Sequence, residues 1–77
     1  MKVSVKLFNQ LRVYAPRGSA HARPTLPPGA QVADLLARLN IPAAVQRTVL
    51  VNGRRAEDDT PLADGDDVVL MSPIEGG

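Results

Sequence analysis

Cysteine is absent from the 77 residues. That excludes disulfides, thiolate-ligated zinc, iron–sulfur clusters and thiol nucleophiles. A single histidine, His21, excludes a multi-histidine metal site and makes a Ser-His-Asp triad hard to assemble within one chain. Tryptophan is also absent, and Phe8 and Tyr14 are the only aromatics, so a base-stacking platform for nucleic acid has little to be built from. The net charge of +1 leaves no electrostatic footprint for a polyanion. No long apolar run exists: Val68-Val69-Leu70-Met71 is the longest aliphatic stretch, far short of a membrane span, and the N-terminus has no signal-peptide stretch. These absences predict a soluble, cytoplasmic chain that binds neither nucleic acid nor membrane. A chain this poor in catalytic groups is expected to act as a binding or carrier module rather than an enzyme.

What is present suits one small domain, since 44% of the residues are apolar. Lys2-Val3-Ser4-Val5-Lys6-Leu7 alternates without a miss, which predicts a strand with Val3, Val5 and Leu7 inward and Phe8 outward. Leu11, Tyr14 and Ala15 stand at helical offsets, but the segment is too short for more than one or two turns before Pro16. Ser19 to Leu26 reads as a weak second strand, confined to an edge by Pro24.

Val32, Leu35, Leu36 and Leu39 fall at i, i+3, i+4 and i+7, one stripe of a helix. Asn40 is suited to cap it and Pro42 prevents its continuation. Thr48 to Val51 is a β-prone run, and Asn52-Gly53 is a strong type I′ hairpin signal. Arg54-Arg55-Ala56 returns, Glu57 to Asp67 is turn chemistry, and Val68 to Met71 is the last strand. The order predicts an α+β architecture: a single mixed sheet of four to five strands wrapped on one main helix, the first and last strands paired centrally.

The charges are sorted along the chain. Residues 1–55 hold all nine Lys and Arg against one acid, Asp34, while residues 56–77 hold seven acids and no base. Pairing of strands from the two halves is expected to bring opposite charges together. The acid-rich turns lack the spacing and the final bidentate Glu of an EF-hand loop, so no metal site is expected there. Alternation also turns Leu50, Val69 and Met71 to the same outer face as Phe8. These four residues are expected to form an exposed apolar, partner-binding patch near the root of the C-terminal segment.

The chain closes on Pro73-Ile74-Glu75-Gly76-Gly77. Two terminal glycines leave only backbone ahead of the carboxylate, a shape that threads a narrow channel. Several segments resemble the β-grasp, ubiquitin-like sulfur-carrier family, which includes the small subunit of molybdopterin synthase and the thiamine-pathway carrier. They are the opening Val-x-Val-x-Leu-Phe with Leu11-Arg12, Gly29 to Leu36, Val49-Leu50-Val51-Asn52-Gly53, Asp59-Thr60-Pro61-Leu62, Asp64 to Val68, and this ending.

The resemblance implies a β-grasp domain over residues 1–72 and a flexible tail over 73–77. It also implies that the Gly77 carboxylate is adenylated with ATP and Mg by a partner resembling ubiquitin-activating enzymes. The adenylate then becomes a thiocarboxylate that donates sulfur. Gly77 would be the acyl site, Gly76 the slender neighbour, Glu75 part of the tail, and Pro73 with Ile74 the segment that aims it. No intrinsic cofactor is implied. Leu7-Phe8-x-x-Leu11-Arg12-x-Tyr14-Ala15 and the tail are similar to the molybdopterin branch, implying an acceptor such as the large subunit of molybdopterin synthase. Ser72 departs from that branch, which often has Pro there. The alternatives are a carrier for thiamine or tRNA thiolation, a ubiquitin-like modifier joined to lysines, and a non-covalent β-grasp adaptor.

Overall fold

The structure is a computed structural model that describes residues 1–16 and 19–73. The alternating N-terminal segment forms β1 (Ser4–Leu7), followed by a 3-10 helix (Asn9–Tyr14) and β2 (His21–Ala22). The apolar stripe becomes α1 (Val32–Arg38), and β3 (Thr48–Val51), β4 (Arg54–Arg55) and β5 (Asp67–Met71) complete the chain order. The strands make one five-stranded sheet in the order β2-β1-β5-β3-β4. β1 and β5 pair at its centre, as the inward aliphatics predict, and the pairing is parallel, with Val5 opposite Val68 and Leu7 opposite Leu70. The other pairings are antiparallel. This is the mixed sheet and single α-helix of a β-grasp.

Strand periodicity and helix periodicity meet in the core. Val5, Leu7, Val68 and Leu70 face Val32, Leu35 and Leu36, and all are buried. Each fully buried aliphatic contributes about 1.5–3 kcal/mol. Leu39, the expected last member of the helical stripe, is half-buried at the edge of this core. The helix has closed before it reaches inward. Asn40 adopts φ +61°, its N–H donates to the Ala37 carbonyl at 3.0 Å, and the Ile41 N–H reaches Leu36 at 2.9 Å. That is the Schellman pattern, with buried Ile41 packed behind it. At the other end, the Val32 and Ala33 N–H groups donate to the carbonyls of Thr60 and Asp58 at 3.0 and 2.8 Å. Donors that a helix start leaves orphaned are thus taken by a distant loop.

The acid-rich turns are structural. Asp64 accepts the Lys2 N–H at 2.7 Å, and Asp66 accepts the Ala63 N–H at 2.8 Å and the Asn52 amide at 2.9 Å. Asn52 and Gly53 have φ +52° and +83°, as a type I′ turn requires. Strands from the two charge-sorted halves do pair, yet their opposite charges do not meet along the strands. Arg47–Asp58, at 2.6 Å, is the one ion pair among the described residues. Asp64 and Asp66 lie in turns, where they accept backbone N–H groups instead.

Candidate functional site

Side chains that point away from α1 come from the same strands, one residue out of step with the core. The register aligns them in rows. One row runs His21, Lys6, Val69, Leu50, Arg55, a residue from each strand in spatial order. In the next, Thr48 lies opposite Met71, and Phe8, just past β1, donates its N–H to the Leu70 carbonyl at 2.9 Å. The four expected apolar residues therefore share one face, on adjacent central strands.

Their exposure differs from the expectation. Phe8 is 44% exposed, whereas Leu50, Val69 and Met71 are half-buried. A side chain on a central strand has cross-strand neighbours on both sides, and these cover its flanks. The patch is a shallow apolar strip rather than a fully exposed cluster.

Val13 is the exposed apolar residue that sequence reading missed, at 78% exposed. In a 3-10 helix, residues three apart eclipse. Leu11 is buried and Tyr14, three residues on, is half-buried, so Val13 between them faces out. The Leu11/Tyr14 spacing was the available signal.

The root of the C-terminal segment lies beside this helix. Ser72 and Pro73 are half-buried and line a cleft of about 740 Å³ together with Gln10, Val13 and Tyr14 of the 3-10 helix and Val45 and Gln46 before β3. The Gln10 N–H donates to the Ser72 hydroxyl at 3.3 Å, a long bond. Pro73 also borders a second cleft, of about 410 Å³, with Arg47 and Asp58. Arg47 holds the intervening loop in place: it donates to the Ala43 and Val45 carbonyls at 3.1 and 2.8 Å and to both Asp58 oxygens. Ile74, Glu75, Gly76 and Gly77 lie outside the described residues.

His21 Nε2 and the Ser4 hydroxyl are 2.9 Å apart. The register sets Asp67 beside Ser4 rather than beside His21, so the Ser–His–acid order of a nucleophilic relay is not met. No group of three or more metal-ligating side chains gathers among the described residues, and no helix there is long and apolar enough to cross a membrane. Chemically, the arrangement offers an apolar face able to dock a partner, with Met71 on it leading directly into Ser72 and Pro73.

Residues 5–77 match the ThiS family. Among solved structures, SAMP1 from Haloferax volcanii is 27% identical with a TM-score of 0.77, each chain covering 100% of the other. Subunit 1 of a molybdopterin converting factor from Pyrococcus furiosus is 31% identical with a TM-score of 0.78, over 96% of this chain and 99% of that one. A chain in the complex of subunits 1 and 2 of the molybdopterin-converting factor from Helicobacter pylori shares the fold at 23% identity, with a TM-score of 0.67 and full coverage of both chains. No curated protein sequence matches significantly.

Proposed function

Since the chain belongs to the ThiS family, we propose that it is a sulfur carrier whose Gly77 carboxylate is the reacting group. The family match extends through Gly76 and Gly77, and this is the observation that carries the reading. A free carboxylate is a poor electrophile. Its oxygen attacks the α-phosphorus of ATP in the partner's site, forming an acyl-phosphate anhydride and releasing pyrophosphate. A sulfide-level sulfur nucleophile then displaces AMP and leaves a terminal thiocarboxylate. ATP and Mg belong to that partner, an adenylating enzyme resembling ubiquitin-activating enzymes, and the ATP requirement fits a cytoplasmic location. The chain itself is a protein substrate and supplies no catalytic group.

Its own residues contribute docking and aim. Phe8, Leu50, Val69 and Met71 form the partner-facing strip, while Pro73, the last described residue, borders both clefts and has the role of aiming Ile74, Glu75, Gly76 and Gly77. The 31% identity to the Pyrococcus furiosus subunit supports molybdopterin synthesis as the acceptor pathway, with a synthase large subunit as the acceptor. The full-length likeness to SAMP1 supports a second reading, a modifier joined through Gly77 to protein lysines.

Incubation with the adenylating enzyme, ATP and a sulfur donor, followed by intact-mass measurement, tests the proposal. The expected product has one oxygen exchanged for sulfur. Lysine conjugates on a denaturing gel, without that product, would favour the modifier reading. Neither product would leave a non-covalent adaptor and end the carrier proposal.

A further inference from the structure

The row His21, Lys6, Val69, Leu50, Arg55 has a chemical pattern of its own. Two apolar side chains fill its middle, and a basic side chain stands on either side, Lys6 and Arg55. Lys6 and Arg55 are exposed, and neither is in an ion pair among the described residues. Asp67 is the one acid that the described strands place on this face, and it lies a row away beside Ser4. Asp64 and Asp66 are engaged as turn caps.

We propose that this row recognises a protein surface carrying an apolar contact flanked by two carboxylates. Three interstrand gaps of about 4.7–4.9 Å set the Lys6 and Arg55 backbones about 14–15 Å apart, so those carboxylates lie on opposite sides of the apolar contact, within reach of two long side chains. Val69 and Leu50 gain from burial against such a partner. The flanking cations speed encounter and disfavour surfaces rimmed with positive charge. A nucleic-acid backbone would satisfy the cations but leave the apolar centre uncovered. The inference rests on the carrier reading, because it takes this face as the one that the adenylating enzyme grips.

The test is association of the full chain with the adenylating enzyme encoded in the same genome, followed by stopped flow at low and high salt. The double variant Lys6→Glu/Arg55→Glu is expected to associate at least about tenfold more slowly at low salt, with the gap closing as salt rises. Lys6→Arg should leave the rate unchanged. Carbodiimide coupling adds a positional readout on the wild-type chain, because Lys2 and Lys6 are its only lysines. An amide between Lys6 and an acidic peptide of the enzyme is expected, and Lys6→Arg should remove it.

An unchanged rate and salt dependence in the double reversal would overturn the inference. So would an oligonucleotide that binds more tightly than the enzyme and is released by the same reversal. Leu50→Glu separates the two levels of the argument. If it blocks docking while the charge reversal is silent, the docking face stands and the charge pattern falls. If both are silent, the docking face itself falls.

Discussion

The two faces of the sheet are built from the same strands, one residue out of step, and they differ in what covers them. Val5, Leu7, Val49, Val68 and Leu70 meet the helix side and are at most 4% exposed. Lys6, Leu50, Val69 and Met71 occupy the other face, and none of them is buried. Both faces hold aliphatic side chains, so apolarity alone does not tell core from docking surface. The difference lies in whether the chain itself supplies a cover: α1, the one α-helix among the described residues, packs on one face, and the side chains of the other keep partial exposure. The comparison therefore separates positions that act on stability from positions that act on association.

The largest expected effect breaks the covered face. Leu35→Ala should destabilise the domain by about 2–5 kcal/mol in urea unfolding, because Leu35 is fully buried and the domain has little other core to compensate. Unchanged unfolding would remove the distinction between the faces. On the other side, Leu50→Glu should weaken binding of the adenylating enzyme by about 2 kcal/mol or more, through an unpaired charge carried into the interface. Titration calorimetry measures that loss, and thermal melting should show the domain still folded. Equal losses of stability and of binding would mean that Leu50 acts as a core residue.

Smaller effects sharpen the boundary between the two regions. Asn52→Ala should cost about 1–2 kcal/mol of stability, because alanine is strained at φ +52° and the Asp67 N–H loses its acceptor. Enzyme binding by that variant should be unchanged. Ser72→Ala, which removes only the long bond from Gln10, should shift stability by less than about 1 kcal/mol. A Ser72→Ala melt that falls as far as that of Asn52→Ala would place the tail root within the core rather than beside it.

Elements specified by near neighbours were legible in the sequence. Alternation through Val3, Val5 and Leu7 placed the first strand and its buried face. Asn52-Gly53 announced its turn, and Asn40 with Pro42 announced the helix end. What escaped depends on residues far apart in the chain. Asp64 caps Lys2 across 62 positions, so its role could not be read from the turn that contains it. The half-burial of Leu50, Val69 and Met71 comes from cross-strand neighbours whose register no local pattern reports. Val13 was missed because the inward positions of this segment, Leu11 and Tyr14, were read and the outward position between them was not. The apolar strip was therefore legible in membership and misjudged in depth.

Deletion of Gly77 tests the central claim most directly, because it alters the proposed reacting group and touches no core residue. Removing one residue draws the carboxylate back by about 3.3–3.6 Å of extended chain. In-line attack needs the reacting atoms about 3–3.5 Å apart and aligned, so the loss is as large as the whole working distance. ATP–pyrophosphate exchange with the adenylating enzyme, measured beside thermal unfolding, reads both consequences. The account predicts exchange abolished with melting unchanged; exchange at the wild-type rate from the folded, truncated chain would contradict it.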